Sequence, residues 1–176
     1  MINENKEKLE RYLGRLWPQW KQEIPHLLRD FEELHLESGE HLPSQRGDIY
    51  FIASGIVGKY IKNAPIRYSS NNEVIIVPLK PSTVQFRVLA DATVFVLERS
   101  VLYQIVEQHP RSIMFYDELL IKQQQAIDFR YDLLQLPKAA RLDALRTKYP
   151  PLMGLLSRTE LAAFLDISKE YLRRLL

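Results

Sequence analysis

Cysteine is absent from the 176 residues. That excludes disulfides, thiol nucleophiles, thiolate zinc sites and cysteine-ligated iron–sulfur clusters. No apolar run approaches the ~20 residues needed to span a bilayer. The opening Met1-Ile2-Asn3-Glu4-Asn5-Lys6 is polar and lacks the apolar core of a signal peptide. The expectation is a soluble, cytoplasmic protein without a membrane partner. Histidine is scarce: His26, His35, His41 and His109 are scattered, and each reads as a surface or packing residue rather than a ligand. There is no metal-spaced His/Asp/Glu cluster, no Gly-rich phosphate loop and no nucleophile motif. Ser112, Asp117 and His109 are close in sequence, but a catalytic triad is recognised by geometry rather than by sequence proximity. The reading is therefore not an enzyme, with no metal and no cofactor.

A large excess of one charge is also missing. The net charge is +2, but it is unevenly spread. From Lys138 onward there are eight Lys/Arg and four Asp/Glu, giving +4, while residues 1–137 carry −2. An anionic partner would meet the C-terminal end. With 46% hydrophobic and 26% charged residues, the composition is that of an ordinary globular chain of one domain, or one domain and a very small one. Glycine is sparse and clustered: four of the six lie within Gly39–Gly58, and none between Gly58 and Gly154. Such clustering between apolar runs suggests tight turns between strands.

The predicted class is α+β. Residues 4–34 read as helices, with Leu9, Tyr12, Leu13 and Leu16 at helical spacing and breaks at Pro18 and Pro25. Residues 35–99 read as short strands. Ile49–Ile52 and Ile56–Ile61 flank a turn at Ala53-Ser54-Gly55, and Glu73–Val77, Val84–Val88 and Thr93–Leu97 follow. That spacing predicts an antiparallel β-roll of jelly-roll type. Ser100 is the predicted N-cap of a helix over 101–108. Pro110 opens a long helix in which Ile113, Leu120, Ile127 and Leu134 recur every seven residues, with Gln124 and Tyr131 between them. This repeat suits two helices lying along each other, and it predicts a homodimer seam. The polar Gln123-Gln124-Gln125 run would fit poorly in a core. Leu136-Pro137 ends the helix. The expected organisation is a roll with N-terminal helices over 1–110, a dimerisation helix over 111–136 and a small helical module over 137–176.

The last twenty residues carry the strongest pattern. Ser157 with Glu160 forms a capping box, S-x-x-E. Leu161, Phe164 and Leu165 make one apolar face, and small Ala162 permits a close helix crossing. Asp166-Ile167-Ser168 is a short turn in which Ser168 caps the next helix. Leu172, Leu175 and Leu176 are predicted to point inward, opposite Lys169, Glu170, Arg173 and Arg174. Two short helices joined in this way are a helix-turn-helix. Such a second helix enters the DNA major groove. Lys169 or Arg174 would bond guanine O6/N7, and Glu170 would accept from cytosine N4. Arg158, Thr159 and the helix N-termini would hold phosphates. The plainer alternative is a helical hairpin with a solvated charged face, on a small-ligand or interaction module that does not touch DNA.

These segments together resemble the Crp/Fnr family of bacterial transcription regulators over nearly the whole chain. The resemblance rests on Glu37-Ser-Gly-Glu-His-Leu followed by Gly47-Asp-Ile-Tyr-Phe-Ile-Ala-Ser-Gly, on Ala92-Thr-Val-Phe-Val-Leu-Glu-Arg-Ser-Val-Leu, and on Ser168-Lys-Glu-Tyr-Leu-Arg-Arg-Leu. It implies a cyclic-nucleotide-binding-like roll, a dimerisation helix and a DNA-reading helix whose base-reading positions are Lys169, Glu170 and Arg174. Family members that bind a cyclic nucleotide carry a glycine–glutamate pair and then an arginine followed by a small hydroxyl residue. Here Glu73 and Thr83 resemble remnants, the glycine is missing, and Ser82 stands in place of the arginine. The cations available to replace it are Lys80, Arg67 and Arg87. A buried phosphate needs charge-assisted partners and close backbone N–H approach. Cyclic-nucleotide binding is therefore not expected, and any small-molecule effector is unnamed. The β-wing of many relatives has no counterpart up to Leu176, so a wing absent or truncated is expected.

Overall fold

The computed structural model describes residues 4–80 and 83–176. Two helices, α1 (Glu4–Leu16) and α2 (Trp20–Glu23), precede the strands β1 (Glu32–Leu36), β2 (Ile49–Ile61), β3 (Ala64–Ser69), β4 (Val74–Ile76) and β5 (Val84–Leu97). The helices α3 (Arg99–Gln108), α4 (Ile113–Gln135), α5 (Lys138–Lys148), α6 (Leu152–Leu155), α7 (Arg158–Leu165) and α8 (Lys169–Leu175) follow. The strands form one antiparallel sheet in the order β1-β5-β2-β3, with β4 also on β2. The α+β class expected from the sequence is the one observed.

The strands are fewer and longer than the sequence suggests. Ala53-Ser54-Gly55 is not a turn. It lies inside the single strand β2, where the register against β5 shifts between Ile52 and Val57. Gly55 has φ +96°, and a Cβ there would lie 2.6 Å from Ala92 Cα. A bulge and a hairpin turn both use a left-handed glycine, so the two look alike in sequence. By the same bend, the two segments read around 84–88 and 93–97 are one strand, β5. The tight turn comes later: Lys62 (φ 48°) and Asn63 (φ 64°) join the paired residues Ile61 and Ala64. Two left-handed residues in a two-residue hairpin are the type I′ arrangement. Two boundaries also move. The first strand starts at Glu32 rather than near 35. Helix α3 starts at Arg99, with Glu98 rather than Ser100 as N-cap, and Asp48 Oδ1 accepts from the Arg99 amide at 3.0 Å.

Both faces of the sheet are buried. The roll interior is filled by its own side chains, among them Tyr50, Val57, Ile75, Phe86 and Val94. The opposite face, with Ile49, Phe51, Phe95 and Leu97, packs against Leu9 and Leu13 of α1, Leu102 of α3 and Phe115 of α4. A third cluster joins Ile56, Tyr60 and Tyr68 of the sheet to Leu142, Leu145, Leu161 and Phe164 of the C-terminal helices. The C-terminal module thus shares its core with the roll.

Candidate nucleic-acid interface

Helices α7 and α8 are set by local chemistry. The Ser157 hydroxyl accepts from the Glu160 amide at 3.2 Å, and the Glu160 carboxylate accepts from the Ser157 amide at 3.3 Å. This completes the capping box and satisfies donors that α7 leaves open. At the other end, Asp166 adopts φ 51°, ψ 53°, and the Ile167 amide bonds Ala162 O at 3.1 Å. A short polar side chain tolerates this left-handed conformation. Ser168 then caps α8, its hydroxyl accepting from the Tyr171 amide at 3.0 Å. Leu161, Ala162, Phe164, Leu165 and Leu172 are buried between the helices. Leu175 is half-buried. Leu176, predicted to face inward, is 61% exposed, because it lies past the last turn of α8.

The outward residues separate into two groups. Lys169, Glu170, Arg173 and Arg174 are exposed along α8, and no ion pair joins them to any described residue. Arg174 only lies over the Tyr171 ring, at 5.1 Å. Arg158 and Thr159 are exposed at the start of α7. The structure therefore gathers these six, with the capping Ser168, on one small module. Glu160, one residue further, turns the other way. Its carboxylate accepts from the Arg87 guanidinium of β5, which also donates to the Tyr60 hydroxyl at 2.8 Å and stacks over that ring at 4.4 Å. Burial alone would raise the Glu160 pKa, but the bonds from Arg87 and Ser157 outweigh it and hold the carboxyl below its ordinary range.

Arg87 and Glu73, the candidates for a ligand site, each contact the C-terminal helices. Glu73 accepts from the Tyr149 hydroxyl at 3.1 Å and pairs with Lys148 of α5 at 3.2 Å. Thr83 is exposed. Ser82 lies outside the described residues. Of the candidate replacement cations, Arg67 is buried and donates to Val74 O at 2.6 Å. Burial lowers its pKa, an effect that nearby Glu73 opposes.

Two residues that sequence reasoning missed hold the module in place. Arg141 is buried on α5. It donates to Leu165 O at 2.8 Å and Asp166 O at 3.3 Å in the turn, and to Leu134 O at 2.9 Å and Leu136 O at 3.0 Å at the end of α4. Arg130 of α4 donates to Phe164 O at 3.4 Å and lies over the Phe164 ring at 5.1 Å. Two guanidinium groups thus meet the open carbonyls at the negative end of α7. The available signal was spacing: Arg141 lies one turn before Leu145 and beside Leu142, on the apolar side of its helix.

Along α4, Phe115, Leu119 and Leu133 face the protein. Ile113, Leu120, Ile127 and Tyr131 are exposed, Tyr131 by 67%, as is Gln124. Leu134 is half-buried. Of the glutamine run, Gln123 turns inward and accepts from the Ile76 amide, while Gln124 bonds Asp128 on the outside at 2.7 Å. Among the described residues no helix is long and apolar enough to cross a membrane, and no cluster of His, Asp or Glu suits a metal ion.

No family model matches the sequence, and no curated protein is significantly similar to it. Solved structures are similar. A Crp/Fnr family protein from Eubacterium rectale superposes with a TM-score of 0.68 at 9% identity, over 92% of this chain and 85% of that one. A cyclic nucleotide-binding domain containing protein from Listeria monocytogenes gives 0.63 at 15% identity, over 96% and 88%. The c-di-GMP responsive global regulator CLP of Xanthomonas campestris gives 0.62 at 17% identity, over 88% and 89%. The fold is accordingly that of the Crp/Fnr regulators: a cyclic-nucleotide-binding-like roll, a long helix and a helix-turn-helix module.

Proposed function

We propose that the chain is a cytoplasmic, non-enzymatic transcriptional regulator of Crp/Fnr type, acting as a homodimer on a two-fold symmetric DNA operator. The carrying observation is the outer face of α8. Lys169, Glu170, Arg173 and Arg174 stand exposed, with no ion pair to any described residue, on a helix anchored by the buried Leu172. Lys169, Glu170 and Arg174 read bases, Arg173 adds charge toward the backbone, and Arg158, Thr159 and the capped N-termini hold phosphates. The exposed seam of Ile113, Leu120, Gln124, Ile127 and Tyr131, extended by Leu134, pairs two copies. Pairing places the two reading helices one DNA turn apart, about 34–36 Å. The roll does not serve a cyclic nucleotide, because Glu73 and Arg87 are engaged by the C-terminal helices.

Operator selection from random duplexes, followed by mobility shift, tests this reading. A palindromic consensus is expected, with affinity falling steeply as salt rises. Leu120→Glu with Ile127→Glu should give a monomer in sedimentation that no longer shifts the operator. A wild-type monomer at micromolar concentration, or no retention of any duplex, sinks the proposal. The second result would leave a roll serving as an interaction module.

A further inference from the structure

We infer that a groove at the base of the long helix binds a small organic cation with an aromatic or branched apolar body. The groove lies between the α1–α2 corner and the start of α4 and encloses about 440 Å³, within the usual size range of small-molecule sites. It stands apart from the roll interior, which Tyr50, Val57 and Phe86 fill. The inference does not depend on the DNA-binding reading.

Local chemistry builds the wall. Pro18 has no amide with which to continue α1, and the chain turns there. The Trp17 amide still donates to Leu13 O at 2.8 Å, and the Trp20 amide donates to Trp17 O at 3.1 Å. Trp20 is buried, whereas Trp17 is half-buried and lines the groove. The Trp17 ring lies against the buried Phe115, with centroids 6.1 Å apart and planes inclined by 27°. Leu16 and Met114 continue the apolar lining. Met114 is 68% exposed. It sits about 100° round the helix from Ile113, so the seven-residue seam does not use it. Its polarizable thioether suits contact with an aromatic or methylated ligand.

The rim selects the charge. Glu23 at the end of α2 is half-buried, and Asp117 and Glu118 of α4 are exposed. All three line the groove and make no ion pair with any described residue. Arg111 is the one cation in its described lining. The groove is therefore net negative on a chain whose net charge is +2. Arg15 and Lys122 lie in an adjoining hollow that Glu118 also lines. A tryptophan face attracts a cation more strongly than any other ring, and the carboxylates act in the same direction. An anion would meet repulsion from the rim, and a neutral molecule would gain the wall alone. The cationic group would sit between Trp17 and the carboxylates of Glu23 and Glu118, with the apolar body on Leu16 and Met114.

Calorimetric titration of the full chain with benzyltrimethylammonium tests the assignment. Benzyl alcohol, tetramethylammonium and phenylmethanesulfonate probe the ring, the charge and the reversed charge separately. Benzyltrimethylammonium should bind, the ring or the charge alone about tenfold more weakly, and the sulfonate not measurably. Glu23→Gln with Glu118→Gln should lower the affinity for benzyltrimethylammonium about tenfold, whereas Arg111→Ala should raise it several-fold by removing the opposing charge. These side chains are exposed or replaced by an isostere, so the variants should keep the melting temperature of the free protein. Binding should also change the tryptophan emission. Trp17→Phe should abolish that change, because the other tryptophan, Trp20, is buried. No heat with benzyltrimethylammonium, or an affinity unchanged in the Glu23→Gln/Glu118→Gln variant, overturns the proposal. So does benzyl alcohol or the sulfonate binding as well as benzyltrimethylammonium. Tetramethylammonium matching it overturns the aromatic wall, and an emission change that survives Trp17→Phe puts the ligand elsewhere and overturns the site.

Discussion

Helices α7 and α8 are separated by three residues and share one core, yet their outer faces have opposite fates. Beyond the exposed Arg158 and Thr159 at its start, α7 is absorbed by the protein: Glu160 binds Arg87, Phe164 packs on Tyr68 with ring centroids 4.7 Å apart, and the last carbonyls are taken by Arg130 and Arg141. The face of α8 is left to solvent. Charge type alone does not distinguish them, since each carries a glutamate in its first turn and arginines lie close to both. What separates them is whether the charge has a partner within the fold. A charged residue with a partner sets position, and one without is available to a ligand.

Substitutions can break this contrast in descending order. Phe164→Ala should cost most, about 3–5 kcal/mol, because the side chain is fully buried between module and roll; chemical denaturation measures it. Arg141→Met should cost about 2–4 kcal/mol by leaving buried carbonyls unpaired, and the loss should concentrate in the module, seen as faster amide exchange in α7 and α8. Glu160→Gln should cost about 1 kcal/mol or less and change the acid response. In the wild type, Glu160 contributes fully above the ordinary carboxylate value, and that contribution is lost as pH falls through its depressed folded value. The variant should lack that limb in a stability profile from pH 7 to 3. Arg174→Ala should alter stability by less than about 0.5 kcal/mol while weakening operator binding by ~1–3 kcal/mol and relaxing one base position. Equal loss on operator and random DNA would make Arg174 a phosphate contact instead.

The helix-turn-helix was legible because its signals are local. Ser157, Glu160 and Ser168 act on amides within three residues of themselves, so spacing reveals them. The long helix and its exposed apolar repeat were legible for the same reason. The roll was legible only as a class. A left-handed glycine serves a bulge as well as a turn, so Gly55 split β2 into two short strands, and the true turn at Lys62-Asn63 contains no glycine. The docking contacts were not legible at all. Arg87 and Glu160 are 73 residues apart, and nothing local to either announces the other. Arg87 and Glu73 therefore read as ligand residues, and Arg141 passed unnoticed among ordinary helix cations.

Mechanically, Arg141 works as a rivet. One guanidinium grips two carbonyls where the long helix ends and two more in the turn between α7 and α8. The joint at Leu136-Pro137 is thereby spliced rather than left as a swivel. A turn of the long helix about its axis would be handed on to α8 with little slack. In the proposed two-fold assembly, arms fixed this way would behave as a ruler, tolerating substituted bases in an operator better than an inserted one.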